Sequence, residues 1–154
     1  MRTIALALTL FFAATAFAQL RLNTSIYPAN VDAKQDVAEA LQRAKTEHKR
    51  LLLVFGADWC YDCHVLDARF HEFNIAPIVD KNFVVVHIDI GQGEKNADLA
   101  QKYQIPVNKG VPSVAVVTAD DKLLYSTQHG EISPTRRLPA SNIIDFLEKW
   151  APKS

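Results

Sequence analysis

From Asp32 onward the spacing of apolar residues changes several times, and each change marks a new element. Val37, Ala40, Leu41 and Ala44 fall at i, i+3, i+4 and i+7, which predicts a helix from an Asp32 cap to about Lys49. The charged run Glu47-His48-Lys49-Arg50 ends it. Leu51 to Phe55 is then uninterrupted apolar sequence, as expected of a strand buried on both faces. Cys63, Leu66, Phe70 and Phe73 fall at i, i+3, i+7 and i+10, one face of a second helix expected to open at Cys60. Pro77 interrupts or restarts that helix, with Ile78 and Val79 packed beneath. Phe83 to Ile90 is rich in β-branched residues and predicts the next strand; a polar loop, Gly91 to Asn96, follows. Leu99 and Tyr103, one turn apart, mark a short helix over 97–103. Ser113 to Thr118 and Leu123 to Thr127 predict a hairpin turning at Asp120-Asp121-Lys122. After a loop from His129 to Pro139, Ser141 or Asn142 caps a last helix lined by Ile143, Leu147 and Trp150. The order α-β-α-β-α-β-β-α predicts a three-layer α/β sandwich. Its mixed central sheet, flanked by helices, begins parallel and ends in an antiparallel hairpin.

The stretch before Asp32 reads differently. Met1-Arg2-Thr3 precedes an apolar run from Ile4 to about Ala14, and Ala16-Phe17-Ala18 follows before Gln19. A basic start, a short apolar run and an A-x-A end predict a signal peptide over 1–18, cleaved after Ala18. The run falls short of the roughly 20 apolar residues a spanning helix needs, so no membrane insertion of the mature domain is expected. Residues 19–31 carry no clear period and predict an arm or short edge strand, leaving 32–154 as one domain. At 154 residues, 49% of them hydrophobic, the chain can bury a core without disulfide staples. Seventeen basic and seventeen acidic residues cancel, which gives no attraction for nucleic acid or an anionic membrane. Export would place the domain in the periplasm or outside the cell, where a thiol pair needs a dedicated electron partner to stay reduced.

Only two cysteines are present, and both lie in Ala57-Asp58-Trp59-Cys60-Tyr61-Asp62-Cys63-His64, between the buried strand and the second helix. At a helix N-terminus, unsatisfied N–H groups and the helix dipole favour the Cys60 thiolate, the species that attacks a disulfide. Cys63, one turn on, is placed to reach back and resolve the mixed disulfide. That spacing makes Cys60 the exposed nucleophile and Cys63 the buried resolving thiol. Asp62 disfavours a further negative charge nearby, and a protonated His64 favours one.

The run from Leu51 through Cys63 resembles the strand and WCxxC active site of the thioredoxin family, and Gly110-Val111-Pro112-Ser113 looks like its cis-proline loop. The approach from Ala44 to Lys49 is similar to that of a branch of secreted bacterial thioredoxin-like proteins. The resemblance covers about residues 32 to 150 and implies a thioredoxin fold and thiol–disulfide exchange. It gives Cys60 the attacking role and Cys63 the resolving one. Trp59 becomes the flanking aromatic, with Tyr61, Asp62 and His64 tuning the site. Pro112 becomes the cis-proline, and the Val111 backbone the element that pairs with a substrate strand. No cofactor beyond the Cys60–Cys63 disulfide is implied. The implied partners are protein or peptide disulfides and a thiol electron donor or acceptor protein. Because Val111 is similar to the aliphatic residue of reducing members, the resemblance leans towards a reductant. Monomer is the default, since no dimerisation helix precedes the domain.

Departures from the family pattern stand beside these matches. The strand position where thioredoxins carry a buried Asp holds Val54, and Phe83-Val84-Val85-Val86 offers no partner Lys. Tyr61-Asp62 replaces the usual Gly-Pro. Other readings of the same residues remain open. Cys60-Tyr61-Asp62-Cys63-His64 fits the C-x-x-C-H pattern of c-type haem attachment, with His71, His87 or His129 as a second axial ligand. Cys60, Cys63, His64 and His71 offer soft metal ligands but lack a second knuckle. A purely stabilising disulfide would close too short a loop to remove much chain entropy. The hypothesis from another class is a non-catalytic thioredoxin-fold binding or metal-delivery module. His87, in mid-strand, reads as a satisfied or edge histidine, and Arg136-Arg137 as a solvated loop pair.

Overall fold

A computed structural model of the chain describes residues 25–28 and 30–153. The expected signal peptide, and the arm as far as residue 24, lie outside the described residues.

The architecture follows from how β1 (Arg50–Gly56) disposes its side chains. Successive residues of a strand point to opposite faces. Leu51, Leu53 and Phe55 enter one core with Val84, Val86 and Ile88, covered by α1 (Ala33–Glu47) and α4 (Ala97–Lys102). Leu52 and Val54 enter the other, with Val114 and Val116, covered by α2 (Tyr61–Phe70), α3 (Ala76–Asn82) and α5 (Ala140–Lys149). All five apolar residues of β1 are fully buried. The unbroken apolar run therefore encodes a strand sandwiched between two helical layers.

The sheet has the order β2-β1-β3-β4, with β2 at Phe83–Asp89, β3 at Ser113–Val117 and β4 at Leu123–Ser126. β1 pairs parallel with β2 and antiparallel with β3, and β3 pairs antiparallel with β4. This is the α/β sandwich with a mixed sheet that the element order predicts, and the thioredoxin-like architecture that the resemblance implies. No helix among the described residues is long and apolar enough to cross a membrane.

Element ends reflect local chemistry. Asp32 caps α1 by accepting from the amides of Lys34 and Gln35, as its sequence position predicts. Pro77 restarts the chain as a separate helix, so α2 and α3 are two elements instead of one.

Two expectations fail. Phe73 does not continue the buried face of α2: the helix stops at Phe70, and Phe73 sits 96% exposed in the turn beyond it. The i, i+3, i+7, i+10 pattern ran three residues past the last hydrogen-bonded turn. Neither Ser141 nor Asn142 caps α5; its first turn begins directly after Pro139, with no side-chain cap. Of the two forms expected of residues 19–31, the described residues take the arm and not the edge strand. Tyr27 is 2% exposed, packed against the cysteine pair.

Truncating Leu147, fully buried against the sheet, to alanine should cost about 2–5 kcal/mol through lost burial and a residual cavity. Phe73→Ser should stay within about 0.5 kcal/mol. Urea midpoints at unchanged slope read both values.

Candidate active site

Three segments converge at the carboxyl end of β1. The strand stops at Gly56, and the turn Ala57-Asp58-Trp59 feeds into α2, whose N-cap residue is Cys60. Cys60 and Cys63 are joined by a disulfide. The Cys63 amide donates to Cys60 Sγ at 3.1 Å, so the first nucleophile candidate caps the helix with its own sulfur. An N–H aimed at sulfur from a helix N-terminus is the arrangement that favours a thiolate once the disulfide opens.

Cys60 is less open than its spacing predicts. It is 5% exposed and Cys63 1%, because Val111 and Ile26 pack against the pair. The two still differ in access: Cys60 lines an open groove of about 420 Å³ that Cys63 does not reach. Trp59, Tyr61, Val111, Ser133 and Arg136 also line it. Trp59 is 56% exposed, held by an Nε1–H donated to Gly91 O at 2.7 Å, and Tyr61 is also exposed. The groove thus offers two aromatic surfaces, that of Trp59 held by its hydrogen bond, beside a shielded sulfur.

The opposite wall is the loop before β3. The Val111–Pro112 peptide bond is cis, and Val111 O lies 3.6 Å from Cys60 Sγ. Ser133 Oγ donates to that same carbonyl at 3.2 Å. Gly110 sits at φ +121°, and a Cβ there would also run into Ser133 Oγ, so only glycine fits.

Asp58, Asp62 and Asp67, the carboxylates nearest the cysteines, each lie beside a donor or cation. Asp62 accepts from the Arg136 amide at 2.9 Å and from its guanidinium at 2.8 Å. Arg136 also lies over the Tyr61 ring, 5.9 Å from its centroid. His64 does not point its proton at the sulfurs: Nε2–H donates to Asp58 O at 2.8 Å. Asp67 lies 3.3 Å from His87 Nε2, and the imidazole holds that carboxyl below the usual range despite burial. Asp58 accepts from the Ser25 hydroxyl and from the amides of Ile26 (3.0 Å) and Tyr27 (3.1 Å). Burial pushes the Asp58 carboxyl up, but these three donors and nearby His64 outweigh it and hold it low.

All eight residues singled out from the sequence gather here, from Trp59 to His64 on one side and Val111-Pro112 on the other. Arg136 and Ser133 were missed because nothing in an irregular loop announces what it folds against. Tyr27 was missed too. Its only signal was an apolar Ile26-Tyr27-Pro28 triplet in an otherwise unpatterned arm.

Comparison with known proteins agrees with this geometry. A family model described as thioredoxin-like matches residues 32–119. A disulphide isomerase from Xylella fastidiosa Temecula1 is 40% identical, covering 80% of this chain and 95% of its own, with a TM-score of 0.76. The C-terminal domain of DsbD from Neisseria meningitidis, in its oxidised form, is 21% identical over 78% of this chain and 97% of that domain, with a TM-score of 0.57. A thioredoxin from Thermus thermophilus is 17% identical over 80% of this chain and 83% of its own, at 0.53. The latter two share the fold. No curated protein that was compared matches the chain.

The Asp58 contacts make arm docking pH-dependent. Because the folded carboxyl is held below its ordinary value of 3.8, docking is favoured above that value and is lost as pH falls through the lowered range. The Ile26 and Tyr27 amide resonances should therefore hold their docked positions at neutral pH and move on acidification below 3.8. Asp58→Ala should give the released positions at every pH.

Proposed function

We propose that this chain, which belongs to the thioredoxin-like family, works as an exported thiol–disulfide oxidoreductase, cleaved after Ala18 and acting as a reductant. The observation that carries the reading is the cysteine pair itself. One sulfur caps α2 at the mouth of a groove, while the other lies buried one turn along.

Exchange runs in two steps. The Cys60 thiolate attacks one sulfur of a substrate disulfide; the Cys60–substrate bond forms, the substrate S–S bond breaks, and the other substrate sulfur leaves as a thiolate that takes up a proton. Cys63 then loses its proton and attacks Cys60 Sγ, the intramolecular disulfide forms, and the substrate sulfur bonded to Cys60 leaves and is protonated. Two electrons pass from the pair to the substrate, and a partner thiol protein restores them. The Cys63 N–H and the α2 dipole stabilise Cys60 both as attacking thiolate and as leaving group. Trp59 and Tyr61 offer apolar surface for the residues flanking a substrate cysteine. The Val111 backbone, opposite Cys60, suits an extended peptide as in strand addition. Protein or peptide disulfides are thus the substrates, with no cofactor beyond the cysteine pair. Val111, aliphatic beside the proline, supports the reducing direction.

A second reading has its own support, because the 40%-identical relative is described as a disulphide isomerase. Isomerisation uses the same attack by Cys60 but returns the substrate through a new internal disulfide, leaving the pair reduced.

Cys60→Ser should abolish reduction of a protein disulfide, by at least about a thousandfold, since a hydroxyl does not replace a thiolate nucleophile. Cys63→Ser should accumulate a mixed disulfide with substrate, seen by mass under non-reducing conditions. Reduction retained in either variant contradicts the mechanism. Rearrangement of a scrambled substrate by the Cys63→Ser protein, with net reduction lost, favours the isomerase reading. Undiminished substrate binding with no exchange in any form favours the non-catalytic module.

A further inference from the structure

The resolving step raises a problem that the chain's departure from the thioredoxin pattern makes acute. Cys63 is buried, and its thiol must lose a proton before it attacks. Val54 occupies the strand position from which the family's carboxylate would assist. No polar group replaces it on β1, since Leu51 to Phe55 are all apolar.

The arm supplies a polar atom from the other direction. Tyr27 forms a small cluster with Cys60 and Cys63, and its hydroxyl is buried with no hydrogen-bond partner among the described residues. An unpaired buried hydroxyl costs free energy, so its persistence beside a reactive sulfur calls for a use. Gly56 shows where the hydroxyl points. A Cβ on that glycine would collide with Tyr27 Oη and would lie 2.6 Å from Cys63 Sγ. The two atoms therefore flank one small volume, which stays open because residue 56 has no side chain.

We propose that Tyr27 is a further catalytic residue of the resolving step, its hydroxyl donating a hydrogen bond to the Cys63 thiolate as that sulfur forms and attacks. This rests on the exchange reading above and deepens it. The phenol is a donor and not the base. Burial first, then the charges of Asp67, Asp58 and Asp89, push its ionisation above the ordinary tyrosine range, so it keeps its proton. His87 meets the Tyr27 ring edge-on at 5.3 Å between centroids and, with Asp67, completes the set of titratable groups facing it. Asp58 fixes the donor in place by holding the amides of Ile26 and Tyr27.

The balance of the step is simple. Cys63 gives up its proton to solvent, its electron pair forms the bond to Cys60 Sγ, and the Cys60–substrate bond breaks. The departing substrate thiolate takes up a proton from solvent. Tyr27 keeps its own proton throughout, and its bond is made only while the sulfur carries charge.

The test separates the two cysteines in time. Reduced protein mixed with dithiobis(nitrobenzoate) releases one coloured thiolate when Cys60 attacks and a second when Cys63 resolves. In Tyr27→Phe, which keeps the ring against His87, the first phase should be unchanged. The second should slow by about tenfold, the loss of one charge-assisted hydrogen bond, with its pH midpoint moved upward. In a Cys60→Ala background Cys63 is the sole thiol. Adding Tyr27→Phe should there raise the pH at which thiolate absorbance appears by about one unit.

A second phase and a Cys63 ionisation both unaffected by Tyr27→Phe overturn the proposal while leaving exchange intact. A native protein that releases no second equivalent overturns the exchange reading itself. If Tyr27→Phe does not fold, the Cys60→Ala protein decides alone. The Tyr27 ring-carbon resonance should follow the Cys63 ionisation, and a resonance that stays flat across it rejects the assignment.

Discussion

The structure hangs on the burial of β1 from both sides. Five consecutive residues, Leu51 to Phe55, are fully buried and alternate between two cores, so the strand cannot slip by one position. Each Leu, Val or Phe removed from water contributes about 1.5–3 kcal/mol, and a one-residue shift would send every one of them into the wrong layer. The end of β1 is consequently a fixed point. Gly56, the turn over 57–59 and the N-terminus of α2 inherit that position, and with it the cysteine pair. The antiparallel pairing of β3 with β1 brings the Val111-Pro112 loop to the same end of the sheet. A reactive sulfur and a wall for its substrate are thus set by one register.

Electrostatics around the pair follow a second rule: the carboxylates that could oppose a thiolate are already engaged. Asp62 is neutralised by Arg136, Asp67 faces His87, and Asp58 is saturated by the arm. The α2 dipole and the Cys63 amide then act on Cys60 with little local opposition. Asp58 has a second consequence. It ties a segment that precedes the domain to the loop carrying the cysteines, so Tyr27 reaches the site from outside the regular elements. The position vacated by the family's buried carboxylate is apolar here, and polar function has moved to the arm.

How much of this was legible in the sequence depends on whether a residue's environment is set locally. The periodicity of α1, the apolar run of β1 and the β-branched run of β2 are local signals, and those elements fall within a residue or two of expectation. So does the Asp32 cap. Phe73 misled because periodicity cannot see where hydrogen bonding stops, and the α5 start misled because Pro139 opens the helix without a side-chain cap. The cysteines, Trp59 and Pro112 were visible as motifs. Arg136, Ser133 and Tyr27 were not, because each acts through a contact between segments far apart in sequence: 74 residues separate Arg136 from Asp62. Irregular segments carry no period that would forecast such contacts.

The reduction potential of the Cys60–Cys63 pair tests the central claim most directly, because a redox pair poised by its helix terminus must titrate as one two-electron couple. The protein equilibrated in glutathione buffers, trapped by alkylation and counted by mass, gives that value. A reductant should show a single transition below about −220 mV. A transition above about −150 mV would contradict the reducing direction, and a pair that yields no thiols at any potential would contradict the exchange mechanism altogether.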